Sequence, residues 1–168
     1  MNNVAIAAKY AFKVKGVKRI LIFDWDVHHG NSTYEIYKDD PNVLFISLHR
    51  YDNGLYYPGK IGALENIGGG KAAGTKVHVP WSMGCQSHLI GTSEYIHIFE
   101  KLLFPICQEF NPDLVFISAG FDSMKGDPLG SLSVEPPGYE YMTKRLKQLN
   151  KGKVIICLEG GYSPELIS

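Results

Sequence analysis

The sequence predicts an α/β fold: an open, mostly parallel sheet flanked by helices. Three observations predict it. Short apolar runs alternate with helical stretches along the chain, the order that builds a parallel sheet with crossover helices. The run at 19–24 is almost continuously apolar, as a strand covered on both faces must be. Three of the runs end directly in chemistry-bearing residues. Open α/β sheets bind their ligands beyond the carboxyl ends of the strands, so this pattern places a crevice there.

The elements follow in order. Residues 5–15 form a predicted helix with Val4, Ala8 and Phe12 on one face. Residues 19–24 form the first strand, 31–37 a short helix and 43–48 the second strand. The glycine-rich stretch 49–74 has little periodicity and is predicted to be a long surface loop, of the kind that is usually functional. Residues 76–79 form a third strand, ended by Pro80. A helix is predicted over 92–110, with Tyr95, Phe99, Leu102 and Leu103 on one side and Asn111-Pro112-Asp113 breaking it. A strand at 114–118, a helix at 139–149 and a strand at 153–158 complete the pattern. No repeat, linker or low-complexity tract interrupts it.

The 168 residues match one domain in size. Lysine plus arginine and aspartate plus glutamate both number 17, so net charge points to neither a nucleic-acid nor a membrane partner. No apolar stretch reaches the roughly 18 residues of a membrane span, and Met1-Asn2-Asn3 opens no secretory signal. Cys85, Cys107 and Cys157 are odd in number and form no CxxC. They are expected to be buried, reduced thiols of an intracellular protein.

The densest chemistry is Phe23-Asp24-Trp25-Asp26-Val27-His28-His29-Gly30-Asn31. Asp24, Asp26 and His28 stand at alternate positions and share a face if the chain stays extended. Buried charge at a strand end needs compensation, and aspartate with histidine suits zinc. Two further strands run into Ala119-Gly120-Phe121-Asp122 and Glu159-Gly160-Gly161-Tyr162. Taken alone, Asp122 reads as a turn cap and Tyr162 as a packing residue. Beside a metal held by Asp26 and His28 they become a third ligand and an active-site hydroxyl. Two carboxylates and one imidazole leave a zinc ion with open positions, as catalysis requires. His49, His78, His88 and His97 carry no spacing signal and are expected to be surface or hydrogen-bonded histidines.

Taken together, Asp24-Trp-Asp-Val-His28-His-Gly-Asn, Ser47-Leu-His-Arg-Tyr-Asp, Tyr57-Pro-Gly, Ser118-Ala-Gly-Phe-Asp122, Gly126-Asp-Pro-Leu129-Gly and Glu159-Gly-Gly-Tyr162 resemble, in order, the zinc-dependent histone deacetylases. The wording is class II-like, and Tyr162, where class IIa enzymes have histidine, places it nearest class IIb. The resemblance implies the arginase/deacetylase fold and hydrolysis of N-acetyl-lysine. It implies zinc ligation by Asp26, His28 and Asp122, with Tyr162 donating to the acetyl oxygen. It implies a structural potassium ion held by Asp24, the Ser47 hydroxyl and backbone carbonyls including that of Leu48. Tyr57, Leu129, Gly160 and Gly161 would line the acetyl-lysine tunnel, with tyrosine at 57 where the family commonly has phenylalanine. Leu129 favours acetyl-lysine over a cationic acetylpolyamine.

The family's tandem histidine, its general acid and base, belongs to a Gly-His-His segment upstream of the match to Met1. His28-His29 is not that pair, since His28 is the expected ligand and His29 would point away. Asp24 and Asn31 match residues that orient the upstream pair. Residues 1–168 are therefore expected to form a partial catalytic domain, truncated at both ends, with weak zinc binding, little hydrolysis and an exposed sheet edge. Expected partners are acetylated histone tails or other acetyl-lysine proteins, with a corepressor complex and a nuclear or cytoplasmic location. Two other readings compete. One is a catalytically dead zinc- or acetyl-lysine-binding module. The other is an arginase-type manganese hydrolase, which would want a further aspartate where Gly30 and Asn31 stand.

Overall fold

The computed structural model describes residues 1–83 and 90–168. Cys85 and His88 lie outside them. Five strands, β1 (Ile20–Asp24), β2 (Val43–Arg50), β3 (Lys76–Trp81), β4 (Leu114–Ala119) and β5 (Val154–Leu158), form one sheet in the order β3-β2-β1-β4-β5. Every pairing is parallel, as the alternation of strands and helices predicts. No helix among the described residues is long and apolar enough to cross a membrane.

Alternation along β1 splits the core in two. Leu21, Phe23 and Trp25 face one side, where they meet Leu44, Ile46, Val115 and Ile117 and the helical residues Tyr95, Phe99, Leu103, Tyr139 and Met142. Ile20 and Ile22 face the other, against Val43, Phe45 and Phe116. That side is closed by Val4, Ala5, Ala8 and Ala11 of α1 (Asn3–Lys15) and by Tyr34 and Tyr37 of α2 (Asn31–Tyr37). The Asn2 side chain caps α1 by accepting from the Ala5 N–H, and Gly16 ends it in the left-handed conformation.

The predicted helix over 92–110 is helical throughout but not uniform. A π-turn at Phe99–Leu103 separates α3 (Thr92–Ile98) from α4 (Phe104–Phe110). Pro105 has no N–H to donate to the preceding turn, which accounts for the widened ladder. α5 spans Pro136–Leu146 rather than 139–149. Pro136 and Pro137 occupy the first turn, where no N–H donor is required. A short α6 (Pro164–Ile167) follows β5.

The stretch 49–74 departs from a plain surface loop. β2 runs on to Arg50, so His49 is a buried strand residue. Three single 3-10 turns, at Asp52–Gly54, Lys60–Gly62 and Gly70–Ala72, then carry the stretch from the carboxyl ends of β2 and β3, where Gly62 and Ala63 meet His49 and His78, back to their amino ends, where the Gly69 N–H donates to the Lys38 carbonyl. At the far edge, β5 exposes Ile155 and Cys157 in part on one face and Ile156 and Leu158 on the other. It is an edge strand of this sheet and carries apolar side chains. Cys107 is buried, Cys157 is half-buried, and both are free thiols.

Candidate metal centre and active site

One register row crosses the sheet at its carboxyl end: His78, Ser47, Asp24, Ser118 and Cys157. Beyond this row the chain does not stay extended, which corrects the sequence reading of Asp24, Asp26 and His28 as one strand face. β1 stops at Asp24. The Asp24 carboxylate accepts from the Asp26 N–H at 3.0 Å, and the Asp26 carboxylate accepts from the His28 N–H at 2.8 Å. Aspartates that catch an N–H two residues on bend the chain into turns. The two turns separate Asp24 from the other two residues and swing Asp26 and His28 toward the end of β4.

There Asp26, His28 and Asp122 offer ligand atoms that all lie within 4.8 Å of one another. His28 Nδ1 sits 3.1 Å from Asp26 Oδ1 and 3.1 Å from Asp122 Oδ2. A tetrahedral ion with bonds of about 2.0–2.1 Å separates its ligands by roughly 3.3 Å, so the spacing suits zinc. The remaining oxygens are anchored: Asp122 Oδ1 accepts from the Val27 N–H and Asp26 Oδ2 from the Gly160 N–H, both at 2.8 Å. The residues fit the metal. It would be held by Asp26, His28 through Nδ1, and Asp122.

Electrostatics point the same way. Hydrogen bonds to Asp122 and Asp26 raise the His28 pKa to about 9. Burial opposes charge on Asp26, but its bonds from the His28 ring and from the His28 and Gly160 N–H groups hold its pKa low. Burial and the neighbouring Asp26 push Asp122 up. Without metal, a proton on His28 therefore stands in for the cation. A raised pKa in the folded state stabilises the fold fully below the ordinary value of 6.5, and that contribution is lost as pH rises through about 9. The urea midpoint of metal-free protein should accordingly fall across that window, and His28→Gln should remove this part of the fall. Zinc must displace the Nδ1 proton, so zinc affinity should rise across the same window. A flat affinity profile would contradict the assignment.

Glycines make the approach possible. A Cβ on Gly120 would stand 2.2 Å from Asp26 Oδ2, and one on Gly160 would stand 2.3 Å from Asp122 Oδ2. Both strand ends thus close on the carboxylates only because these positions lack side chains.

The other sequence-selected residues surround this centre. Tyr162 lines a cavity of about 640 Å³ together with Asp24, Asp26, His28, Asn31, Tyr57, Gly160 and Gly161. Its N–H donates to Asp127 Oδ2 at 2.8 Å, and burial with the nearby Asp122 raises its hydroxyl pKa. Tyr57 is exposed, its ring 6.2 Å edge-on from that of His28, while Leu129 is half-exposed, is not among the residues that line the cavity, and meets the Tyr56 hydroxyl through its carbonyl. Asp24 is fully buried, and burial first and Asp26 second push its pKa well up. Ser47 Oγ meets His49 Nδ1 at 2.9 Å, and the Leu48 side chain is buried in the core.

Three features were not singled out from the sequence. Glu159 lines the cavity too, its pKa raised by burial and by Asp26. Tyr56 stacks on His28. His29, His49 and His78 form a buried cluster, with ring centroids of His29 at 4.8 Å from His49 and 4.6 Å from His78. His49 and His78 are hydrogen-bonded, as expected, to Gly62 and Ala63 carbonyls. Burial lowers both pKa values to about 4. His29 points away from the carboxylates into this cluster, and its Nδ1 has no hydrogen-bond partner among the described residues. His97 is exposed. The period-2 spacing of His49 with Ser47 was the one available signal, since it continues β2 past Leu48.

A parallel α/β sheet with an Asp–His–Asp cluster at its carboxyl ends defines a protein built around a candidate metal centre. The histone deacetylase domain model matches residues 1–168. The chain is 46% identical to histone deacetylase clr3 of Schizosaccharomyces pombe over 170 residues, 99% of this chain and 24% of that protein. It is 48% identical to histone deacetylase 15 of Arabidopsis thaliana over 167 residues, 99% of this chain and 29% of that protein. The solved structure of Clr3 superposes with a TM-score of 0.94 over 100% of this chain and 28% of that one, at 45% identity. That of the HDA15 HD domain gives 0.93 over 99% of this chain and 45% of that one, at 48% identity. The chain belongs to the histone deacetylase family, and its sheet is that of the arginase/deacetylase fold. It spans less than a third of the length of these two curated relatives.

Proposed function

We propose that this chain forms part of a class II-like deacetylase catalytic domain that hydrolyses N-acetyl-lysine with zinc. The observation that carries the reading is the convergence of His28 Nδ1 on Asp26 and Asp122 at 3.1 Å each, in a cavity shared with Tyr162. Zinc supplies a Lewis acid and acidifies water when bound. The chain's own residues do the rest. Tyr162 keeps its proton, since burial and Asp122 raise its pKa, and it donates to the acetyl oxygen as charge develops there. Asp127 holds the backbone of Tyr162 and, through its other oxygen, the N–H groups of Leu129 and Gly130. Tyr57, Leu129, Gly160 and Gly161 would then flank the lysine stem. Buried Asp24 with Ser47 and neighbouring carbonyls such as that of Leu48 would hold potassium, which offsets the uncompensated carboxylate.

The substrates on this reading are acetylated histone tails or other acetyl-lysine proteins, met in the nucleus or cytoplasm, within a corepressor complex. A second reading is a module that binds zinc and acetyl-lysine without turnover. On either reading the two histidines nearest the centre are not the base: His28 is committed to the carboxylates, and burial with His49 and His78 pushes the His29 pKa down to about 2. Tyr162→Phe in the protein carrying this chain separates the two. Deacetylation of an acetyl-lysine peptide should fall about a hundredfold, the scale of one lost donor to a developing oxyanion, while peptide affinity holds. A native protein that binds the peptide without turnover would favour the module.

A further inference from the structure

We propose that Tyr56 is a positioning residue of the metal centre: it accepts from His28 Nε2–H and so holds the ring with Nδ1 toward Asp26 and Asp122. The inference rests on the metal-centre reading above. The two rings lie nearly parallel, with centroids 5.4 Å apart and planes at 16°. The Tyr56 hydroxyl oxygen is 3.1 Å from the Leu129 carbonyl and 3.5 Å from His28 Nε2. A carbonyl only accepts, so the tyrosine proton goes to Leu129 and the hydroxyl oxygen is left to accept from His28 Nε2–H. The contact to Nε2 is at the outer limit of a hydrogen bond. The chain of donors runs from His28 Nε2–H to Tyr56 Oη–H to the Leu129 carbonyl. With Nε2–H held in this way, Nδ1 is the ring atom left facing both carboxylates, the one that gives up its proton when a metal binds. Ligating histidines commonly donate the other ring N–H to an outer partner, and such partners set metal affinity.

A cation holds the ring as well. The Arg50 guanidinium lies over the Tyr56 ring, 4.5 Å from its centroid, within cation–π range. Arg50 is itself held by Asp52 at 2.6 Å and by the Gly130 carbonyl at 3.3 Å. Arg50 and Tyr56, packed beside His28, are therefore tied at two points to the loop of Leu129 and Gly130. Through Asp127 the same loop holds Tyr162. Ligand orientation and the placing of the Tyr162 hydroxyl are thus linked by one short segment.

The test compares native protein with Tyr56→Phe, which keeps the stack and loses the hydroxyl, and with Tyr56→Leu, which loses both. Zinc affinity by chelator competition should fall about tenfold in Tyr56→Phe, the lower end of the range for outer partners, and further in Tyr56→Leu. The urea midpoint of Tyr56→Phe should match native. Long-range ¹H–¹⁵N spectra of the metal-free protein should show the His28 Nε2–H exchanging faster with water in Tyr56→Phe than in native. Equal zinc affinity in native and Tyr56→Phe, or an exchange rate unchanged by the substitution, overturns the proposal. A native protein with no zinc affinity overturns the metal-centre reading instead, and the exchange comparison then decides the hydrogen bond by itself.

Discussion

Replacing Asp122 with asparagine is expected to lower zinc affinity about a thousandfold and to leave the fold standing. Zinc sites in small domains are worth about 10–16 kcal/mol, so one of three or four ligands carries about 3–5 kcal/mol. Asparagine keeps the oxygen that accepts from the Val27 N–H at 2.8 Å. It also removes a fully buried carboxylate that faces Asp26. The metal-free variant therefore keeps its structure and relieves a like-charge contact, while His28 loses the first of the two partners that raise its pKa. Chelator competition measures the first effect, and histidine titration by NMR the second. Zinc binding within tenfold of native would exclude Asp122 as a ligand.

The second large effect is expected at Gly130. A Cβ there would stand 1.8 Å from the Asp122 carbonyl oxygen and 2.8 Å from its carbon. Both are backbone atoms that cannot rotate away, so the loop or the end of β4 must shift. Gly130→Ala is expected to cost about 3 kcal/mol, the upper part of the usual range for overpacking, and to carry Asp122 out of place. Stability and zinc affinity should fall together. Gly16→Ala is the contrast: its Cβ meets nothing within 4 Å, but φ is +63°. It should cost about 1 kcal/mol through left-handed strain alone and leave zinc affinity unchanged. Urea melts and chelator competition on both variants separate the two cases.

The sheet was legible because its strands are apolar on both faces. Ile20, Leu21, Ile22 and Phe23 are all fully buried, and a run of that kind has few alternatives. Asp26, His28 and Asp122 were legible for a different reason: charges placed directly after such strands need a common partner. What remained hidden depended on contacts made across long stretches of chain. The turns at Asp24 and Asp26 are made by side-chain bonds to backbone N–H groups, and alternating residue types describe an extended strand equally well. The His29, His49 and His78 cluster joins three strand ends that only the β3-β2-β1 order brings side by side. Tyr56 shows the same limit. It lies in a glycine-rich stretch without periodicity, and nothing local to it signals that its hydroxyl meets Leu129, 73 residues away.

The most direct test is anomalous diffraction at the zinc edge from crystals of the protein carrying this chain, grown with zinc. The account predicts one strong peak bonded at about 2.0–2.2 Å to His28 Nδ1 and to one oxygen each of Asp26 and Asp122, with Tyr162 on the open side. A peak elsewhere, or density joined to His28 through Nε2, would contradict it.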